Sequence, residues 1–377
     1  MAAVCLCGGT NVVADGLSSV VRQIYDYAMT SKHKNRQEKA LSTSDKWSPR
    51  LAEFKTSDNP RAVFEILVTI VPLGLLWVAM YKLLQHGSFF SYVAASLVLV
   101  VQAGLIVRLF TLQHDCGHGS LFTSKKVNDW VGRVLGIFTY TPYDYWRRLH
   151  AGHHATSGDL DRRGMGDIDT LTIDEYRALG LAQKFVYRVY RNPFILFIIG
   201  PAYLFLFRHR VPVGAMRDGS GPWISAMGTN IGILLVALFA ISFVGLKMFL
   251  LVQIPIITLG AAIGVWLFYV QHQFDDTYWD TRPEWSHEHA ALHGSSFYDL
   301  PKPLMWITGN IGIHHVHHLS SRIPFYKLPK VLKAYPELKE IGRLSMWESL
   351  KCVHLALWDE KARKLISFRE ARQIPTT

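Results

Sequence analysis

Nine of the chain's 17 histidines fall in three five-residue windows, where uniform scatter over 377 residues would put fewer than one. The windows are His114-Asp-Cys-Gly-His118, His150-Ala-Gly-His153-His154 and His314-His315-Val-His317-His318. On a helix, positions i, i+3 and i+4 share one face. His114 and His118 therefore project together, as do His150, His153 and His154, and again His314, His317 and His318. Imidazole is a ligand for iron, zinc and copper. Eight ligands are too many for one ion, and a single zinc, which takes three or four, would leave the rest idle. Two metal ions use them all. Two irons with open positions would also admit dioxygen. His315 breaks the face pattern and reads as a packing residue or as an orienting partner beside the ligands.

Other residues surround the boxes. His272 ends a long apolar run and reads equally well as a ninth ligand or as a helix-end residue. Ligating imidazoles usually donate their second ring N–H to a carboxylate or carbonyl. Asp115, Asp159, Asp161, Asp167, Asp169, Asp275 and Asp276 lie near enough in sequence to serve, with Asp115 and Asp276 the leading candidates. Asn310, four residues before His314, could hold a metal-bound water. The spacing of His287, His289 and His293 is less coherent, and no clear carboxylate ligand pairs with a histidine in the Glu-x-x-His pattern of a soluble di-iron bundle.

The elements that must position these side chains are apolar and long. Half of the chain is hydrophobic, in runs separated by polar stretches that carry most of the charge and histidine. This layout predicts an all-α integral membrane fold, with about four spanning helices, interfacial helices and a cytoplasmic helical cap that holds the boxes. Runs at residues 62–84 and 91–112 are long enough to span, and Arg108 near the end of the second is expected to snorkel. Residues 130–146 read as interfacial. Three further apolar stretches, 192–207, 230–244 and 247–270, lie between the second and third boxes. If the boxes build one site, the crossings between them must be even in number. Arg188, Arg191, Arg208, Arg210 and Arg217 put both ends of 192–207 on the cytoplasmic side, so that stretch is expected to be interfacial or re-entrant. The other two form a hairpin, which leaves both termini cytoplasmic. The expected organisation is a basic cytoplasmic segment over 1–60, a membrane domain over 61–370 and a tail over 371–377.

The net charge of +11 fits this topological bias and attraction to anionic lipid. Basic residues interleaved with aromatics on a polar domain are missing, so a nucleic-acid partner is not expected. Cys5, Cys7, Cys116 and Cys352 form no disulfide framework, which fits a reducing compartment. The first 20 residues carry no Lys or Arg, so no signal peptide is expected.

The boxes and the apolar hairpins between them resemble the membrane fatty-acid desaturase family. The likeness is closer to its bacterial acyl-lipid branch, and it runs from about residue 60 to about 370. It is carried by His154-Ala-Thr-Ser-Gly-Asp-Leu-Asp-Arg-Arg-Gly, Tyr190-Arg-Asn-Pro-Phe, Gly264-Val-Trp-Leu-Phe-Tyr-Val-Gln-His272 and Gly294-Ser-Ser-Phe-Tyr-Asp-Leu-Pro. The strongest stretch is Thr308-Gly-Asn-Ile-Gly-Ile-His-His-Val-His-His-Leu-Ser. The resemblance implies two iron ions on the cytoplasmic side, held by His114, His118, His150, His153, His154, His314, His317 and His318, and it favours His272 as the extra ligand. It also implies the reaction: two electrons and dioxygen remove two hydrogens from adjacent methylenes of a lipid- or carrier-linked acyl chain, leaving a cis double bond. The electron donors of such enzymes are ferredoxins or haem cytochromes. No His-Pro-Gly-Gly haem motif occurs here, so the donor is a separate protein. The bacterial likeness implies the inner membrane. The cluster at His287, His289 and His293 departs from the family pattern.

Three other functions fit parts of the sequence. A membrane hydroxylase would use the same scaffold and differ in product. A zinc hydrolase would need neither iron nor dioxygen. A metal transporter would line its spans with polar residues, whereas these histidines cluster at helix ends and in loops.

Overall fold

A computed structural model describes residues 47–375 except Met165 and Pro283. The basic segment up to residue 46, with Cys5 and Cys7, and the last two residues lie outside the described residues. Two units are present. Trp47–Arg50, a short helix, is the described end of the first, and Leu51–Thr377 is the second. The second unit carries all three histidine boxes.

Among the described residues, four helices are long and apolar enough to span a membrane: α1 (Asn59–His86), α2 (Phe89–His118), α6 (Ser220–Val244) and α7 (Leu246–His272). Between them lie α3 (Lys125–Phe138), α4 (Tyr143–Thr156) and α5 (Leu181–Tyr190). After them come α8 (His287–His293) and α9 (His314–Leu319). The first hairpin is punctuated by its sequence. Asp58 caps α1 by accepting from the Arg61 amide, and Ser88 caps α2 by accepting from the Ser91 amide. Gly87 (φ 68°) and Gly119 (φ 65°) end the two helices in the left-handed conformation. With 30 residues in α2, the helix runs about 45 Å against a hydrocarbon core of about 30 Å. The excess length leaves room for its last turns, which carry His114 and His118, to project beyond the lipid.

More of α2 and α7 is buried than of α1 and α6, so they form the inner pair. Both end in a box-side histidine, and they approach closely: a Cβ on Gly260 of α7 would lie 2.9 Å from Ile106 of α2. The outer helices present Leu75, Phe239 and Phe243, each at least two-thirds exposed, where lipid would lie.

Several boundaries differ from expectation. The first hairpin arm between boxes two and three begins at Ser220, ten residues before the expected residue 230. Small and polar residues in its first turns mask the periodicity. The interfacial stretch at 130–146 is two helices, not one. They break where Tyr140 adopts a left-handed φ of 58° and Pro142 precedes α4. The stretch at 192–207 joins α5 across a 59° bend, as a broken span or a re-entrant loop. Arg108 does not snorkel. Its side chain is 1% exposed and ion-paired to Glu65 of α1, with a bond from Nε to the Thr69 hydroxyl at 3.1 Å.

The cap is helical with five short strands, which a reading by helical period does not anticipate. β1 (Leu171–Thr172) pairs parallel with β4 (Leu355–Asp359), and β4 pairs antiparallel with β5 (Lys364–Ser367). β2 (Phe297–Asp299) pairs parallel with β3 (Arg343–Ser345). The Tyr298 amide also donates to the Gly312 carbonyl at 2.7 Å, tying β2 to the approach of the third box.

Candidate metal centre

Box one lies on the last turns of α2, box two on α4, box three on α9, and His272 is the final residue of α7. These four elements bring nine imidazoles into two adjoining sets. Five belong to one set, His114, His118, His150, His154 and His317; four belong to the other, His153, His272, His314 and His318. Within each set the ligand nitrogens all lie within 4.8 Å of one another. The sets touch where the His154 and His318 rings stack at 4.1 Å.

The partition follows helix geometry more finely than a shared face suggests. Each i, i+4 pair stays in one set: His114 with His118, His150 with His154, His314 with His318. The i+3 members cross over, so His153 leaves box two for the four-histidine set and His317 leaves box three for the five-histidine set. Three residues advance a helix by about 300° and four by about 400°, so the i+3 ring points to one side of the i, i+4 line.

The chemistry of the donors fits metal ions. Nε2 atoms face one another at 3.0 Å (His118 and His150), 3.1 Å (His154 and His150) and 3.1 Å (His317 and His154). In the second set the spacings are 3.1 Å (His153 and His272) and 3.0 Å (His272 and His314). An imidazole–metal bond of about 2.1 Å gives octahedral edges of about 3.0 Å and tetrahedral edges of about 3.4 Å, so these spacings match those a coordination shell would have. The buried Nε2 of His318 has no hydrogen-bond partner and needs one. Burial holds His150, His154, His314, His317 and His318 well below the ordinary imidazole range, so each offers a neutral lone pair at pH 7.

Ring orientation comes from the opposite nitrogens. The His153 Nδ1 bonds the Asp167 carboxylate, which is almost fully buried. The His272 Nδ1 donates to the Gly294 carbonyl at 3.0 Å. The His114 Nδ1 lies 3.4 Å from Asp115 Oδ1, while the other Asp115 oxygen accepts the Phe325 amide at 2.7 Å. His315 points out of the centre and donates to the Leu338 carbonyl at 2.9 Å. Asn310 sits in a left-handed turn (φ 52°) and its side chain donates to the Phe325 carbonyl at 3.4 Å. Asp276 is exposed and is not the partner of His272. The His289 and His293 rings lie 4.4 Å apart, tilted by 40°, and join neither set.

The residue pattern did not single out three contributors. The Gly294 carbonyl is a backbone atom and leaves no residue-type signal. Trp146 stacks on His150 at 4.7 Å and meets Phe110 edge-on at 5.2 Å; its i, i+4 spacing from His150 was the signal. Phe268 lies against His153 and His272 at 5.0 and 5.4 Å. These rings give the centre an apolar wall.

Fold and site together define an integral-membrane helical protein with a two-part polyhistidine centre able to bind metal. The profile of the fatty acid desaturase family matches residues 87–349. A fatty acid desaturase of Bacillus subtilis (strain 168) is 41% identical over 329 residues, 87% of this chain and 92% of its own length. An sn-1 acyl-lipid omega-3 desaturase (ferredoxin) of Synechocystis is 29% identical over 311 residues, 77% of this chain and 81% of its own. An sn-1 oleoyl-lipid 12-desaturase of the same organism is 28% identical over 236 residues, 58% of this chain and 62% of its own. The chain belongs to the fatty acid desaturase family and is an oxidoreductase of lipid metabolism.

Proposed function

We propose that this protein inserts a cis double bond into the acyl chain of a membrane lipid, using dioxygen and two electrons from a separate donor. The observation that carries this reading is the split of nine imidazoles into a set of five and a set of four. Two iron ions bound there would supply the oxidising power that an unactivated C–H bond requires and that no acid or base side chain can. The residues for the first iron are His114, His118, His150, His154 and His317. Those for the second are His153, His272, His314 and His318. Five imidazoles exceed the four ligands of a structural zinc, which favours a metal of higher coordination number.

The chain's own groups do the positioning. Asp167 and the Gly294 carbonyl fix the rings of His153 and His272, so the Nε2 atoms face inward. Trp146, Phe110 and Phe268 exclude water from one side of the centre and offer an apolar surface against which an alkyl chain can lie. The lipid-linked form of the substrate follows the acyl-lipid names of the cyanobacterial relatives, and the ferredoxin named for one of them makes a ferredoxin the favoured donor over a haem cytochrome. The centre faces the cytoplasm of a bacterial inner membrane in this reading, with residues 61–370 as the catalytic unit.

The test is expression in a host without desaturases, followed by fatty-acid profiling that locates double bonds. New monounsaturated or further unsaturated chains should form in air and not under nitrogen, and the purified protein should hold about two irons. Hydroxylated chains without new double bonds would replace desaturation by hydroxylation. One zinc per active chain, with no iron, would remove the di-iron assignment.

A further inference from the structure

Two surface grooves carry clusters of basic residues, and they differ in charge balance. One, of about 680 Å³, lies beside Gly117 and Ala151 and includes Arg133, Arg147 and Arg148. Each of these has a carboxylate partner: Arg133 with Asp144 at 2.8 Å, Arg147 with Asp129, and Arg148 with Asp218 at 2.8 Å. The other, of about 470 Å³, lies between the Ile173–Ala178 helix, α5 and the C-terminal residues 368–375. It is lined by Arg177, Lys184, Arg188 and Arg372, with no carboxylate among its lining residues. Apart from the exposed Asp174 beside Arg177, the hydrogen-bond acceptors of Arg177, Lys184 and Arg188 are neutral oxygens. Lys184 donates to the Arg177 carbonyl at 2.8 Å, Arg188 to the Tyr176 hydroxyl at 2.6 Å, and Arg177 to the Ala371 carbonyl at 3.2 Å. Among the described acids on the flanking elements, Asp174 is 76% exposed and 4.0 Å from Arg177, Glu175 is paired with Arg163, and Glu370 accepts from the Ser367 hydroxyl at 2.7 Å. Neutral oxygens satisfy donor geometry without cancelling charge, so the four lining cations keep this groove positive.

The groove also borders the apolar surface of the membrane domain. Along α5, Leu181, Phe185 and Val189 recur every fourth residue and are exposed, Leu181 at 88% and Phe185 at 69%. Lys184 and Arg188 flank that stripe on the groove side. Past the 59° bend the apolar surface continues through exposed Phe194, Tyr203 and Phe207. An amphipathic helix with this arrangement lies in the plane of the interface, its apolar stripe among acyl chains and its bordering cations at the level of the headgroups.

We propose that the groove between α5 and the C-terminal residues binds the headgroup of an anionic membrane phospholipid. Guanidinium and ammonium donors suit phosphate oxygens, Tyr176 and Phe368 form part of the groove lining, and the acyl chains would continue onto the Leu181–Phe185 stripe. A free phosphate fits the same donors but makes no use of that stripe. The inference depends on the membrane fold and not on the reaction proposed above.

The test is native mass spectrometry of the full-length protein in a neutral detergent, titrated with phosphatidylglycerol or phosphatidylcholine of identical chains. Phosphatidylglycerol should be retained preferentially. Each cation near a membrane surface contributes a factor of about five, so Lys184→Ala with Arg372→Ala should weaken retention roughly 25-fold. Arg148→Ala, in the charge-balanced groove, should leave retention unchanged, and Lys184→Arg should preserve it. Equal retention of the two lipids would overturn the proposal. So would undiminished binding by the double variant, or full displacement of the lipid by millimolar inorganic phosphate. Metal content equal to that of the parent protein would show that the variants are folded.

Discussion

At the scale of single residues, the centre depends on which nitrogen of each ring is anchored. His153 is the ring whose outer nitrogen meets a buried carboxylate, Asp167. That contact fixes the tautomer and raises the basicity of Nε2, and losing such a partner typically costs about 10–100-fold in metal affinity or activity. Asp167→Asn keeps the shape and removes the charge. We expect it to lower metal occupancy of the four-histidine set and leave the five-histidine set filled, so that total metal falls toward one ion per chain. Equal loss from both sets would mean that Asp167 only supports the fold. His272→Ala removes a ring of the same set, and desaturation should be abolished with a similar fall in metal. His289→Ala and His293→Ala should retain at least partial activity, because their rings join neither set. Near-parental metal and product in His272→Ala would exclude it as a ligand.

At the scale of elements, the buried ion pair between α1 and α2 is the feature most open to test. Glu65 and Arg108 are each about 1% exposed, and Arg61 adds a second cation to the same carboxylate. Removing one partner leaves a buried charge without compensation, at a cost of about 3–5 kcal/mol. Glu65→Ala should therefore lower the unfolding midpoint sharply. Glu65→Leu with Arg108→Met restores an apolar contact and should recover most of the loss; a double variant no more stable than Glu65→Ala would show that the charges themselves are required. The pairing was not legible in the sequence, because Glu65 and Arg108 are 43 residues apart and each alone reads as a snorkelling or boundary residue. The helices were legible, since runs of apolar residues carry their own length. The three boxes were legible because i, i+3, i+4 spacing survives any tertiary context. What the period could not give was the sorting of rings between two sets, the short strands of the cap and the carbonyl of Gly294, all set by contacts between segments distant in sequence. The start of α6 was misplaced for a local reason: Ser220, Gly221 and Pro222 read as loop, whereas Pro is well tolerated in the first turn of a helix.

At the scale of the whole molecule, the convergence of three boxes constrains topology. Box one ends α2 and box three follows α7. Because their rings share two sets, an even number of crossings separates them. The hairpin of α6 and α7 supplies two, so the bent segment from α5 through Arg210 must return to the side it left. The loop carrying Arg208, Arg210 and Arg217 then lies on the side of the metal centre, and from the positive-inside bias we propose that this side is cytoplasmic. The turn at Gly245 and Lys247 lies on the opposite side. A membrane-impermeant thiol reagent can read both, in a chain with Cys5 and Cys7 replaced by Ser. The remaining thiols should stay silent: Cys116 and Cys352 are buried, and burial pushes the Cys352 thiol up to about 12, far from the thiolate that reacts. Arg217 and Lys247 are exposed, so Arg217→Cys should be labelled only in inside-out vesicles and Lys247→Cys only in intact cells. Labelling of Arg217→Cys from outside, with Lys247→Cys labelled from inside, would overturn this topology, either by inverting the protein or by making the bent segment a fifth crossing. Labelling of both from one side would mean that α6, the helix between them, does not cross, and would break the parity that joins the boxes.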